Sequence, residues 1–183
     1  MNVLVIDGHP DLQKSTANAV TYSHYQQTTD WSIQHLGAGY QGDIDQEQSA
    51  LLNADIVVVQ FPLYWSTFPA VLKKWIDDVF TYGFAFGPNG SKLKDKKLVF
   101  SITAGATAES YSETGFNFMP FSVYQQAFEH VFRAAEMDIT NTIVTFEMNA
   151  NPDEGGDKDN TIKLAQHHAK EVINTVNTLI GKL

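Results

Sequence analysis

No cysteine occurs among the 183 residues. That removes disulfides, thiolate metal ligands and a thiol nucleophile together, and it fits a reducing compartment, so the cytoplasm is the expected location. Positive charge is scarce: 12 lysines and arginines face 21 acidic side chains, for a formal net charge of −9. A surface of that sign repels a phosphate backbone instead of releasing its counterions, which argues against nucleic acid as a partner. Long apolar runs are missing too. The first, Met1 to Ile6, is interrupted by Asp7, and no later one approaches the roughly 18 residues of a membrane helix, so no targeting to a membrane is expected.

What is present suffices for one core. With 43% hydrophobic residues, positions 1–183 are expected to form a single domain. Three continuous apolar runs, Val3 to Ile6, Ile56 to Phe61 and Leu98 to Ile102, read as strands covered on both faces, with Trp31 to Leu36 and Ile139 to Phe146 as two weaker ones. Helical spacing fills the intervals: Ser15 to Gln27, Gln46 to Leu52, a segment opening at Pro69, Val123 to Ala135 with Ala127, Phe128, Val131 and Phe132 inward, and Asn160 to Leu179. Strict alternation of strand and helix predicts an α/β three-layer sandwich with a five-stranded parallel sheet in the flavodoxin-like order 2-1-3-4-5. The polar stretch Asn149 to Asn160 reads as a surface loop. Its acids match a calcium loop poorly, with Gly155 where an oxygen ligand is required and no closing Glu, so no metal is expected. His167 and His168 point about 100° apart on a helix, cannot share a metal, and are expected on a solvated face.

In such a sheet ligands bind outside the carboxyl ends of the strands, near the point where strand order reverses. The loop after the first strand, GHPDLQKSTANA, puts Ser15 and Thr16 at a helix start, where hydroxyls, free amides and the positive helix end make a phosphate site; His9 offers a further donor. The plain alternative is that Ser15 is an ordinary N-cap and His9 a loop residue. This loop is neither G-x-G-x-x-G nor G-x-x-x-x-G-K-[ST], which disfavours the usual dinucleotide fold and a nucleotide triphosphatase. After the third strand, FPLYWSTFPA clusters rings that offer a flat wall to a planar ring system, although Trp65 and Phe68 would serve equally as a lid on the core. After the fourth come the small residues Thr103 to Thr107, then Tyr111 and Glu113.

At these three loops the sequence resembles the NAD(P)H:quinone oxidoreductase family of flavodoxin-like flavoproteins, which includes ancillary flavoproteins of bacterial potassium-efflux systems and general-stress oxidoreductases. The residues that carry the resemblance are His9-Pro10 with Ser15, Thr16 and Asn18, the block Phe61 to Phe80, and Thr103-Ala104-Gly105. It implies a flavin, FMN or FAD, reduced by NAD(P)H and reoxidised by a quinone or similar acceptor. His9, Ser15, Thr16, Ala17 and Asn18 would hold its phosphate and neighbourhood, Pro62, Leu63, Tyr64 and Trp65 would line the isoalloxazine, and Thr103, Ala104 and Gly105 would close over its edge. Larger members place a Tyr and a His after the fourth strand; here Tyr111 stands as the catalytic candidate and no His follows. A link to a membrane transporter enters by family analogy alone.

The expected cycle is ping-pong hydride transfer, with little room in so short a chain for the adenine of FAD. The aromatic stretches Phe80 to Phe86 and Phe116 to Phe121 predict a homodimer, unless their rings fold back onto their own domain. A flavodoxin-type electron carrier is the alternative, separated by steady NAD(P)H oxidation. A receiver-type signalling domain fits less well, because Phe61 and Pro62 stand where it needs an Asp.

Overall fold

The computed structural model describes residues 1–182. Five parallel strands, β1 (Val3–Asp7), β2 (Ser32–His35), β3 (Ile56–Pro62), β4 (Lys97–Thr103) and β5 (Asp138–Thr145), alternate with α1 (Thr16–Thr28), α2 (Ile44–Asn53), α3 (Ala70–Val79), α4 (Phe121–Ala134) and α5 (Lys158–Ile180). The strand order is β2-β1-β3-β4-β5, as the alternation predicts.

The continuous apolar runs are explained by two cores, one on each face of the sheet. Leu4, Ile6, Val57, Val59, Phe61, Leu98, Phe100 and Ile102 pack with α3 and α4 residues, among them Leu72, Trp75, Phe128 and Phe132. Val3, Val5, Ile56, Val58 and Val99 face the other way, onto Tyr25 of α1 and Ala169, Val172 and Val176 of α5. Side chains alternate across a strand, so a strand buried on both faces reads as a nearly continuous apolar run.

Helix α3 buries Val71, Leu72, Trp75, Ile76 and Val79, while Lys73 with Asp77 and Lys74 with Asp78 pair one turn apart on its solvent side. Pro69 is the residue before the helix, not its first turn. Gly8 is required by close packing, since a Cβ there would lie 2.9 Å from the Leu72 side chain. Gly37, Gly39 and Gly42 do have G-x-G-x-x-G spacing, yet the amides opening α2 are taken by Asp43, whose carboxylate accepts from Asp45 and Gln46. An anion already occupies that helix start.

Three expectations need correction. Ala127 lies on the exposed side of α4. Phe84 turns into the core, while Tyr82 and Phe86 of the same stretch stay exposed. His168 is fully buried, whereas His167 is exposed, because 165, 168, 169, 172 and 176 share the inward stripe of α5.

Candidate active site at the carboxyl ends of the strands

One large cleft, of about 1260 Å³, opens at the carboxyl ends of β1, β3, β4 and β5. Its first wall is the start of α1. Ser15 caps this helix, its Oγ accepting from the Asn18 amide at 3.1 Å. Thr16 and Ala17 occupy the first two helical positions, where an N–H has no carbonyl to meet inside the helix. Both line the cleft with Ser15, Asn18 and Lys14.

The second wall is the turn after β3. Tyr64 and Thr67 pair as a tight hairpin, N to O at 3.1 and 3.0 Å, and Trp65 and Ser66 at its tip both take positive φ. This geometry turns the Trp65 ring outward, 99% exposed, while Phe61 and Phe68 go into the core. Pro62, Leu63, Tyr64 and Trp65 all line the cleft.

The third wall combines the ends of β4 and β5. Thr103, Gly105, Ala106, Thr107 and Tyr111 line it; Ala104 is buried behind, its amide donating to Thr145 O at 2.9 Å. Tyr111 is packed against Phe121 and Phe146 and half-buried, and burial raises its phenol above the usual range. Glu113 is exposed and does not line the cleft.

The loop expected at the surface, from Asn149 onward, forms the remaining side. Asn149, Asn151, Glu154, Gly156, Asp157 and Asn160 line the cleft with Glu147 and Met148. Gly156 lies so close to Asn149 that a Cβ would stand 2.5 Å from its carbonyl oxygen. Polar composition concealed this contribution; the signal that could have revealed it is position, since the loop follows the carboxyl end of β5.

His9 is not among the lining residues. It is buried behind Tyr64, its Nε2 3.0 Å from the Tyr64 hydroxyl. Desolvation depresses the imidazole pKa, partly offset by the charge of Asp7.

Beneath the cleft, on the α1 and α5 side, the apolar core gives way to a polar row. Asp7, Gln60 and Ser101 are register neighbours on β1, β3 and β4 and are all fully buried. Asp7 reaches His35 Nδ1 at 2.6 Å, Tyr25 Oη meets Ser101 Oγ at 3.1 Å, and His168 bridges Ser101 Oγ at 2.8 Å to Thr145 Oγ1 at 2.9 Å. Burial pushes the His168 imidazole down to about 4, so it is neutral at physiological pH.

The arrangement suits a phosphorylated planar ligand. Free first-turn amides and the positive end of α1 suit a dianion, small residues at β4 admit a ring close to backbone, and two rings flank the opening. Among the described residues Lys14 is the one basic side chain lining the cleft, so backbone and hydroxyl groups would hold the phosphate.

A family profile described as "Flavodoxin-like fold" matches residues 1–169. The chain belongs to that family. It is similar to the uncharacterized NAD(P)H oxidoreductase YrkL of Bacillus subtilis, 39% identical over 118 residues, 63% of this chain and 68% of the relative. Among solved structures it is similar to general stress protein 14 of Treponema denticola in complex with FMN, at TM-score 0.83 and 26% identity, covering 98% of this chain and 99% of that one. A protein of P. pentosaceus described as an NADPH-quinone reductase matches at TM-score 0.74 and 26% identity, over 92% of this chain and 98% of the other. The resemblance read from the three loops and these relatives agree.

Proposed function

We propose that this chain is an FMN-dependent NAD(P)H oxidoreductase that passes two electrons to a quinone or similar acceptor by ping-pong hydride transfer, as a cytoplasmic homodimer. The observation that carries the reading is the convergence on one cleft of a helix start with free amides, a ring-bearing hairpin and a small-residue strand end. The FMN-bound relative and the reductase relatives support it.

FMN, when bound, supplies the hydride chemistry, accepting from reduced nicotinamide and giving to the acceptor. Ser15, Thr16, Ala17 and Asn18 hold its phosphate at the positive end of α1. Pro62, Leu63, Tyr64 and Trp65 form a wall for the isoalloxazine, and Thr103 and Gly105 let its edge approach backbone, whose amides oppose negative charge there. Tyr111 stands at the opening, a neutral phenol at working pH, able to donate to a bound substrate. Neither electron donor nor acceptor requires a nucleophilic side chain.

Exposed rings outside the core support the dimer: Tyr82, Phe86, Phe116 and Phe118 are each more than half exposed. Any link to a membrane transporter would run through a partner, since among the described residues no helix is long and apolar enough to cross a membrane.

The test is the visible spectrum of the protein after reconstitution with FMN, followed by anaerobic addition of NADH or NADPH. Flavin bands at about 375 and 450 nm that bleach with reductant and return with a quinone are expected. A protein that takes up no flavin refutes the proposal; one that takes it up but is not reduced by either nicotinamide becomes an electron carrier.

A further inference from the structure

Tyr64 is held at both ends. Its backbone closes the hairpin with Thr67, and its hydroxyl meets His9 Nε2 at 3.0 Å. His9 has its other ring nitrogen committed: the backbone N–H of Asp11 donates to Nδ1 at 3.0 Å, and Asp7 Oδ1 accepts from the His9 amide at 3.4 Å. A backbone N–H can only donate, so Nδ1 carries a lone pair and the single proton of the neutral ring sits on Nε2. That proton is donated to Tyr64 Oη.

A phenol has one proton of its own. With Oη accepting from His9, the Tyr64 O–H must donate elsewhere, and among the described residues it has no other partner. Tyr64 is 43% exposed as a residue and lines the cleft, so the open direction is the cleft itself.

We propose that His9 is a positioning residue that fixes Tyr64 as a one-way hydrogen-bond donor to a carbonyl oxygen of the acceptor molecule. The inference rests on the oxidoreductase reading above and names the acceptor class for the same cleft. Tyr64 lines the ring-bearing wall of the cleft beside the outward Trp65, not the phosphate wall at the start of α1, so an acceptor lying against that wall would come within reach of its hydroxyl. A carbonyl oxygen gains negative charge as its molecule accepts hydride, and a donor fixed beforehand stabilises that charge without reorganising. Tyr64 keeps its proton, because burial raises its phenol above the usual range. His9 does not relay one, because protonating Nδ1 would break the bond from Asp11. The family pattern carries His9 to the flavin phosphate; the fold places it behind Tyr64 instead.

Three variants test this. Tyr64→Phe deletes the hydroxyl, His9→Phe deletes the donor behind it, and His9→Gln keeps an amide N–H within reach. In the flavin-free protein, imidazole proton–nitrogen spectra, with His9 assigned by its absence in His9→Gln, should show a bare Nδ1 and a protonated Nε2 throughout the neutral pH range. In the FMN-loaded protein, the ratio of kcat/KM for p-benzoquinone to that for ferricyanide, which has no carbonyl oxygen, should fall about tenfold in Tyr64→Phe and His9→Phe, the scale of one hydrogen bond to a charged group. It should recover in His9→Gln. A His9 protonated on Nδ1, or titrating in that range, overturns the lock. An unchanged ratio, or no rescue by Gln, overturns the donor role. A protein that takes up no FMN overturns the proposed function and the acceptor role with it, while the spectra still decide the lock.

Discussion

Asn18 and Thr103, 85 positions apart, exchange two buried hydrogen bonds: Asn18 Nδ2 donates to Thr103 Oγ1 at 3.1 Å, and Thr103 Oγ1 donates to Asn18 Oδ1 at 3.3 Å. Asn18 also donates to Ser15 Oγ at 3.1 Å. One side chain therefore fastens the start of α1 to the end of β4 and so ties two walls of the cleft together.

Asn18→Ala should leave Thr103 Oγ1 without a buried partner, while Ser15 Oγ keeps only the backbone N–H of residue 18, and cost roughly 1–3 kcal/mol of stability. Urea unfolding measures this. FMN affinity, followed by flavin fluorescence, should weaken in the same variant because the helix start loses its anchor; unchanged affinity would mean that the two walls are independently rigid.

Ser15 has two duties that can be separated. Ser15→Ala should cost about 0.5–2 kcal/mol as a lost N-cap, seen in the urea midpoint. The ratio of riboflavin to FMN dissociation constants reads the second duty, because riboflavin lacks the phosphate. That ratio should be large in the parent chain and shrink about tenfold in the variant, the worth of one charge-assisted hydrogen bond.

His168 makes stability depend on pH. An unfolded imidazole titrates at 6.5, and burial brings His168 down to about 4 in the fold. Between these values the unfolded chain binds a proton that the native chain refuses, so this contribution is whole above pH 6.5 and is lost as pH falls toward 4. The loss is bounded at about 3 kcal/mol, each pKa unit being about 1.4 kcal/mol. His35 works in the opposite sense: its hydrogen bond to Asp7 raises it, so its contribution is whole below pH 6.5 and fades as pH rises, and partial exposure makes it the weaker of the two. Urea midpoints at pH 7 and pH 4.5 should therefore differ by less in His168→Gln than in the parent chain. An equal difference in both would assign the acid sensitivity to other groups.

Phe116 and Phe118, 84% and 76% exposed, are the clearest candidates for a subunit contact. Sedimentation of the parent chain should give a dimer, and the double change Phe116→Asp with Phe118→Asp should give a monomer of unchanged circular dichroism. A parent chain that sediments as a monomer removes the dimer from the proposal.

Periodicity carried the fold. Val3 to Ile6, Ile56 to Val59 and Leu98 to Phe100 are apolar without a break because helices cover both faces, and that local fact selects a parallel sheet and its crossovers. The walls of the cleft were legible for a related reason: a helix cap, a ring-bearing turn and a run of small residues each leave a local mark, and strand order then brings them together. His168 left none, because its burial depends on a stripe shared with Ala165 and Val172 and on hydroxyls from β4 and β5. The loop from Asn149 looked like solvent-facing polar chain, and only the return of β5 beside β4 turns it onto the cleft. The tautomer of His9 was equally hidden, since it is decided by the amide of Asp11 and the hydroxyl of Tyr64, 55 positions away. Sequence by itself determined the elements, their order and the places where a ligand would be met, because these follow from burial and spacing along the chain; tertiary structure decided which polar atoms share each proton, because a hydrogen bond between distant residues has no local signature.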